Sequence, residues 1–176
     1  MDRDPVAYFK EYDFTESSVC HIRSQPELNQ LEIVLSYSGF VPAIARPLDD
    51  PNFQQPKDFR RLVFREVTQL QRSRCNYKPG FQGFDPASFD LSAAGPALTV
   101  EIESAYVGEI VDTRRTIVRH KAEIHMGSFG TYSFEFGSLA AFQRLVKIVL
   151  LRGGGANHFD YNTNAKIAIG DPFADG

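Results

Sequence analysis

A regular alternation of apolar and polar residues between positions 98 and 136 restricts the fold of this chain more than any other feature. Successive side chains of a β-strand point to opposite faces of a sheet, so a period of two indicates strands with one buried and one exposed face. The alternating segments are 98–103, 118–126 and 132–136, with a three-residue turn at 128–130. The pattern therefore predicts a three-stranded antiparallel meander.

The apolar residues of these strands also fix the register that we expect, because a slip of one residue would turn every side chain to the other face. The expected pairs on the buried face are Val100–Ala122, Ile102–His120, Ile124–Phe134 and Ala122–Phe136. In this register His120 points inward, whereas His125 lies on the exposed face of the same strand.

Glu101 and Glu103 share the exposed face of the first of these strands. Two neighbouring carboxylates can act as an acid and a nucleophile, or as metal ligands. In the expected register they lie opposite Lys121 and Arg119, so ion pairing on a solvated face is the better interpretation.

The first third of the chain predicts a β-hairpin, made of residues 18–22 and 31–35 around a turn at 26–29. The apolar pairs that we expect in this hairpin are Ile22–Ile33 and Cys20–Leu35. Residues 40–45 fit an edge strand limited by Pro42, and residues 6–14 fit either a short helix or an extended arm.

Two other segments carry a helical spacing of apolar residues. Segment 59–70 fits a helix or a strand, and its composition favours the strand. Ser138 is placed to cap a helix over 138–151, whose apolar positions are Leu139, Phe142, Leu145, Val146 and Val149. The fold class predicted is mainly β (α+β), with an antiparallel sheet curved into a half-barrel or sandwich and one or two helices packed on it.

Composition agrees with a single globular domain over residues 1–176, with an irregular tail at 153–176. The chain has 176 residues, 43% of them hydrophobic, and a net charge of −3. Its apolar runs are too short to span a bilayer, and Cys20 and Cys75 show no paired spacing. We expect a soluble, cytoplasmic protein.

We find no complete catalytic motif, whether of the serine-hydrolase or the metalloprotease type, and expect neither a metal nor a cofactor. Asp160, Asn162 and Asn164 alternate as in a calcium-binding loop. However, Ala165 occupies the position that needs glycine, and Lys166 brings a positive charge into the ligand set.

The segment 57–78 is basic, with seven cationic and two anionic side chains for a local charge of +5. Interleaved aromatic residues make it a candidate contact surface for an acidic partner. We expect no strong nucleic-acid binding, because the rest of the chain is acidic. The candidate partner-binding residues are Arg60, Arg61, Arg65, Arg72, Arg74 and Tyr77.

Residues 17–70 resemble small uncharacterised bacterial β proteins that are grouped with toxin-immunity proteins. The resemblance rests on the two hairpin strands, 18–22 and 31–35, and on the segment 62–67. It implies a non-enzymatic protein that binds a protein partner, and it carries over no catalytic residue.

The sequence therefore leads to two functional hypotheses. The first is a non-enzymatic binding or accessory protein that acts through protein contacts. The second is a small-molecule-binding domain or enzyme with a pocket under the loop at 73–97. Whether the chain forms a homo-oligomer is left open.

Overall fold

The computed structural model describes residues 2–39, 56–73, 88–90, 100–111, 117–167 and 172–173. These residues form one α-helix, two short 3₁₀ turns and a set of antiparallel strands. The helix and the strands are β1 (Asp2–Arg3), α1 (Pro5–Glu11), β2 (Ser18–Gln25), β3 (Gln30–Tyr37), β4 (Lys57–Arg65), β5 (Thr68–Ser73), β6 (Ser88–Asp90), β7 (Ser104–Ile110), β8 (Arg119–His125), β9 (Thr131–Phe136), β10 (Ser138–Leu150), β11 (Ala156–Asp160) and β12 (Lys166–Ile167).

The strands form two antiparallel sheets, the larger of which curls into a half-barrel. Its strand order is β12-β11-β10-β4-β3-β2-β6, and β1 pairs with the first residues of β10. The smaller sheet has the order β5-β9-β8-β7. The predicted fold class, a curved antiparallel sheet with a helix, is confirmed.

The two sheets are continuous with each other at two places. β4 passes into β5 after Glu66, which has a left-handed backbone with φ of 55°, and β9 passes into β10 through Gly137. The Gly137 N–H donates to the Arg65 carbonyl at 2.9 Å, and a Cβ at Gly137 would overlap the Glu66 side chain. The segment before β7 is also joined to β2, because the Val19 N–H donates to the Val100 carbonyl at 2.7 Å.

The core lies between the sheets and is rich in phenylalanine. The Phe64 ring meets Phe134 and Phe136 edge to face, with centroids 4.9 and 5.0 Å apart, and all three side chains are buried. Helix α1 starts at an Asp4 cap, whose carboxylate accepts from Ala7 N–H at 2.9 Å. The helix lies beside β7 and adds the buried Tyr8 ring to the core.

The first hairpin agrees with its prediction except at one residue. Ile22 pairs with Ile33 as expected, and the turn is a 3₁₀ turn that ends at Asn29 in the left-handed conformation. Leu35 pairs with Val19 instead of Cys20, because the strand bulges between Val19 and His21. The bulge shifts the alternation by one residue, so that Val19 and Ile22, three positions apart, are both buried in the core.

The predicted helix at 138–151 is wrong, because these residues form the 13-residue strand β10. β10 pairs with β4 along Ser138–Val146 and with β11 along Val146–Leu150, so it has a strand partner along its whole length. Apolar residues spaced three and four apart fit a helix, but long-range backbone pairing outweighs such a local preference. The strand prediction for 59–70 is confirmed by β4 and β5.

The meander has the predicted buried face but a different first strand. The partner of β8 is β7, which begins after the predicted strand 98–103, so Val107 and not Val100 pairs with Ala122. Between β8 and β9 the register is displaced by two residues, and Ala122 pairs with Phe134. An even displacement keeps each side chain on its face, and Val100 and Ile102 are buried as predicted.

Several sequence predictions fall outside the described residues. These are the edge strand at 40–45, most of the loop at 73–97, and the cysteine at position 75. Residues 156–160 and 166–167, in the predicted irregular tail, form β11 and β12. Among the described helices, none has the length and apolar character needed to cross a membrane.

Candidate functional site

Strand β4 sends its arginines to opposite faces of the larger sheet. Arg60 points to the core side with Leu62 and Phe64, whereas Arg61 and Arg65 point to the outer side. The candidate arginines of the sequence therefore do not share one surface, and their environments differ sharply.

Arg60 is buried and forms a bidentate ion pair with Asp58, two residues earlier on the same face. Its Nε and Nη2 donate to the two carboxylate oxygens at 2.9 and 2.7 Å, and only 5% of Arg60 and 2% of Asp58 are exposed. The Gln143 side-chain amide donates a third hydrogen bond to Asp58 at 3.0 Å. The carboxylate is thus held in one orientation.

Three tyrosines surround the other side of the Arg60 guanidinium. Nη1 donates to the Tyr8 hydroxyl at 3.2 Å, and the Arg60 carbon Cζ lies 4.4 Å from the centre of the Tyr12 ring and 5.1 Å from that of Tyr37. Burial alone would lower the pKa of Arg60, but the hydrogen bonds and charge of Asp58 raise it above its ordinary value. Burial also raises the pKa of Tyr8 and of Tyr37, so both hydroxyls stay neutral.

The outer side of β4 carries a different charged group, centred on Glu32. Its Oε2 accepts from Nε of Arg61 at 2.7 Å and lies 2.7 Å from Arg61 Nη2, and its Oε1 lies 2.9 Å from His21 Nε2. The hydrogen bond from His21 lowers the pKa of Glu32, burial opposes this change, and Arg61 lowers it further. Glu32 is buried, whereas 39% of the Arg61 side chain is exposed, so Glu32 holds the guanidinium in place while part of Arg61 stays open to solvent.

Phe142 pairs with Arg61 across the strands, and the Arg61 carbon Cζ lies 5.8 Å from its ring centre. The ring is 40% exposed, which is unusual for a phenylalanine in a central strand. Arg65 lies on the same side and pairs at 3.0 Å with Asp2, which is 70% exposed in its side chain. We call the outer group of Arg61, Arg65 and Phe142 the Arg–Phe patch.

The remaining candidate residues lie elsewhere. Arg72, on β5 of the smaller sheet, donates to the Phe129 carbonyl at 2.6 Å and lies over the Tyr132 ring. Arg74 and Tyr77 lie outside the described residues. Of the four predicted partner-binding residues that the structure describes, only Arg61 and Arg65 share one surface.

A cavity of about 330 Å³ opens beside the buried ion pair, between the end of β3 and the start of β4. The cavity is lined by residues 36–39 and 56–58. Tyr37 lies so close over Gly39 that a Cβ there would overlap the ring. This cavity is separate from the Arg–Phe patch, which lies on the outer side of the sheet.

The exposed face of the meander has other ion pairs than those predicted. Glu103 lies 3.0 Å from His125 Nε2 instead of facing Arg119, and Lys121 pairs at 2.9 Å with Glu123 on its own strand. Glu101 is exposed, and its backbone forms an isolated antiparallel β-bridge with Ser18. The expectation that these two glutamates face Lys121 and Arg119 is wrong because the strand that pairs with β8 starts later in the chain.

The histidine orientations agree with the prediction. His120 is 7% exposed and stacks on the Phe136 ring at 5.3 Å, whereas His125 is half-buried on the outer face and lies 2.7 Å from the Thr131 hydroxyl. Within the part of the chain that is described, Nδ1 of His120 has no hydrogen-bond partner. We assign no chemistry to it, because no nucleophile or ligand donor is seen beside it.

Asp160, the first residue of the calcium-like pattern, is occupied by local hydrogen bonds. Its Oδ1 accepts from the backbone N–H groups of Asn162 and Thr163 at 3.0 and 2.9 Å, and its Oδ2 accepts from Arg144. The Thr163 N–H is the largest cause of a lowered pKa for Asp160. Across the described ranges, no three His, Cys, Asp or Glu side chains are grouped so that they could hold a metal ion.

Sequence reasoning did not identify Asp58, Glu32 or the tyrosines as parts of these sites. Asp58 and Arg60 are two residues apart on a strand, and this spacing could have predicted a same-face ion pair. The contacts of Arg60 with Tyr8 and Tyr12 join residues about fifty positions apart, and no local pattern predicts them. Comparison with protein-family models, with curated proteins and with solved structures gave no match.

Proposed function

We propose that this protein is a non-enzymatic binding protein that contacts an acidic surface of a protein partner through the Arg–Phe patch. The observation that carries the proposal is the exposed Phe142 ring beside a guanidinium that Glu32 holds in place. Arginine and aromatic side chains are enriched at protein interfaces and among the residues that dominate binding energy.

The geometry of Arg61 suits binding because the side chain is already ordered. Immobilising a long side chain on association costs about 0.5–1.5 kcal/mol, and the two contacts with Glu32 remove much of that cost in advance. Arg65 adds a second cation, whose partner Asp2 is largely exposed and can be exchanged for an acidic group of another protein. The resemblance of residues 17–70 to toxin-immunity proteins also favours a protein partner.

The alternative hypothesis, a small-molecule domain or enzyme with a pocket under the loop at 73–97, stays a prediction. Most of that loop lies outside the described residues. An apolar pocket that holds carboxylates or histidines with shifted pKa values would favour it.

The proposal is tested by chemical crosslinking in cells that produce the protein, followed by identification of the captured protein. We compare the wild type with Phe142→Ala and Arg65→Ala, which remove exposed groups of the patch. Tyr106→Ala is the matched control, because Tyr106 is 65% exposed on β7 of the smaller sheet.

We expect one acidic partner to be captured by the wild type and by Tyr106→Ala, and its affinity to fall about fivefold or more in Phe142→Ala. Weaker binding at high salt is also expected, since exposed charges are screened. If Phe142→Ala and Arg65→Ala bind every captured protein as the wild type does, the Arg–Phe patch is not the contact surface.

A further inference from the structure

We propose that the tip of the β10–β11 hairpin binds the surface of a lipid bilayer that contains anionic lipids. The tip is made of residues 149–155, which are the last two residues of β10 and the turn that follows. This contact is independent of the proposed protein contact, because the Arg–Phe patch lies on β4 and on an earlier part of β10. The tip meets only the surface of the membrane, since seven residues are too few to span a bilayer.

The hairpin extends past the strand that flanks β10 on its other side. In the described part of the chain, the pairing of β10 with β4 ends at Val146, whereas β11 accompanies β10 to its last residue. Two backbone hydrogen bonds of 3.1 Å close the turn, from Leu151 N–H to the Gly155 carbonyl and from Gly154 N–H to the Leu151 carbonyl. A Cβ at any of the glycines 153–155 would meet no other atom within 4 Å, so these residues face open space.

The tip exposes three aliphatic side chains on more than one side. The exposed fraction is 38% for Val149, 68% for Leu150 and 47% for Leu151. Val149 and Leu150 are consecutive residues of a strand, so their side chains lie on opposite faces of the hairpin. A flat protein surface would cover one of these faces and leave the other in water. The headgroup region of a bilayer surrounds an inserted tip, so it can cover both faces.

The charge of the hairpin favours anionic lipids. Lys147 on β10 and Arg152 in the turn are both exposed. Residues 147–159 contain no Asp or Glu, and Asp160, at the other end of the hairpin, already accepts from Arg144. These two cations give the hairpin a local charge of +2, although the chain has a net charge of −3. Segments that combine cations with exposed aliphatic side chains bind membrane surfaces, because the lipid charges attract the cations while the aliphatic groups leave water.

The experiment measures how much of the full chain sediments with lipid vesicles. One set of vesicles contains phosphatidylcholine alone, and the other contains phosphatidylcholine mixed with phosphatidylserine. We expect saturable binding to the anionic vesicles and binding about tenfold weaker, or less, to the neutral vesicles. Binding to the anionic vesicles should decrease at high salt, because salt screens the attraction between the cations and the lipids.

Two variants test the contributions of the tip separately. Leu150→Ser removes its most exposed aliphatic group, and Arg152→Gln removes the cation of the turn. The matched controls are Ile117→Ser, at a residue that is 69% exposed before β8, and Lys10→Gln, at an exposed residue of α1. We expect each tip variant to bind the anionic vesicles about threefold or more weakly, and each control to bind them as the wild type does.

A fluorescent reporter shows whether the tip itself enters the lipid. The chain contains no tryptophan, so Leu151→Trp introduces a single one at the tip and Ile117→Trp a single one elsewhere. With anionic vesicles the emission of Leu151→Trp should shift to shorter wavelength, and that of Ile117→Trp should not. Absence of saturable binding to the anionic vesicles, or an unshifted emission of Leu151→Trp while the chain is bound, would overturn the proposal. Self-association of the wild type that Leu150→Ser abolishes, without vesicle binding, would also overturn it and assign the tip to a contact with a second copy of the chain.

Discussion

Asp58 and Arg60 place two opposite charges on the core side of β4, where apolar side chains are usual. The desolvation of two charges costs free energy that their attraction recovers only with good geometry and further hydrogen bonds. Both conditions are met here, since the pair is bidentate and Gln143 and Tyr8 supply additional hydrogen bonds. Four hydrogen bonds therefore satisfy the buried pair and offset part of its desolvation cost.

This account predicts unequal effects of removing one or both charges. Asp58→Ala leaves the Arg60 cation buried without its partner, and we expect a loss of about 3–5 kcal/mol in the free energy of unfolding. The double variant Asp58→Leu, Arg60→Met should recover most of that loss. Urea denaturation measures both, and Asp2→Ala, at the exposed pair with Arg65, should change stability by less than about 1 kcal/mol. A double variant as unstable as the single one would contradict this account.

Glu32 makes a pH-dependent contribution whose direction follows from its lowered pKa. Its ordinary value is 4.5, and in the folded protein the hydrogen bond from His21 keeps the pKa below that. A lowered pKa stabilises the folded state above the unfolded value, and this contribution is lost as the pH falls through the folded value. We expect the free energy of unfolding to decrease with acidification below about pH 4.5, and to decrease less steeply in Glu32→Gln. A carbon NMR titration in which the Glu32 carboxyl has its midpoint at or above 4.5 would show that the assigned interaction is wrong.

At the scale of the elements, the sequence predicts which face of a strand is buried better than it predicts which strand it pairs with. Alternation correctly assigned Val100, Ile102, Ala122 and Ile124 to the buried side, because a strand needs only a local period of two to fix its faces. The partner of each strand depends on contacts distant in sequence, so the pairing with β8 was assigned to the wrong segment. Ser138–Leu150 was assigned to a helix for the same reason, since its pairing with β4 and β11 is not a local property.

The same limit explains the candidate site. The local basic charge of 57–78 was visible in the sequence, but its division between two faces and two sheets follows from the strand boundary after Arg65. The Arg61–Phe142 contact and the Glu32 ion pair join β4 to β10 and β3, across 29 or more positions. The alternation of Arg60 and Arg61 along the strand, and the same-face spacing of Asp58 and Arg60, are the local features that could be predicted.

The β2–β3 turn gives a prediction at this scale. Asn29 ends the turn with φ of 49°, and its carbonyl accepts from Val67 N–H at 2.8 Å. A β-branched side chain is strained in this conformation, so Asn29→Val should cost about 1–2 kcal/mol, whereas Asn29→Gly should be nearly neutral. Asn157→Val, in the extended strand β11, is the control and should have a small effect on thermal stability. An equal loss from Asn29→Gly would show that the Asn29 side chain matters more than its backbone angle.

For the whole molecule, the positions of the charges affect nucleic-acid binding more than the net charge does. The net charge is −3, and the described arginines of the basic segment lie in different environments. Arg60 is buried, Arg61 and Arg65 lie on the outer side of β4, and Arg72 lies on the smaller sheet. Nucleic-acid affinity depends on how many phosphates are contacted together, and these residues do not form one continuous track.

We therefore expect no binding to random single-stranded or duplex DNA tighter than micromolar at physiological salt. A salt titration followed by fluorescence anisotropy measures this, with Arg61→Ala and Arg65→Ala as the informative variants. Submicromolar affinity with a steep salt dependence that either variant weakens would reverse this expectation. The Arg–Phe patch would then be a nucleic-acid site and not a protein contact.

The passage of β4 into β5 and of β9 into β10 links the two sheets through continuous, hydrogen-bonded backbone. We therefore expect the opening of one sheet to disrupt the pairing of the other. The chain should therefore lose its two sheets in one cooperative step, with the same midpoint for every spectroscopic signal. Gly137→Ala, which forces a Cβ against the Glu66 side chain at one junction, should lower that common midpoint without splitting it in two. The cooperativity of unfolding would then depend on the few residues at the two junctions between the sheets.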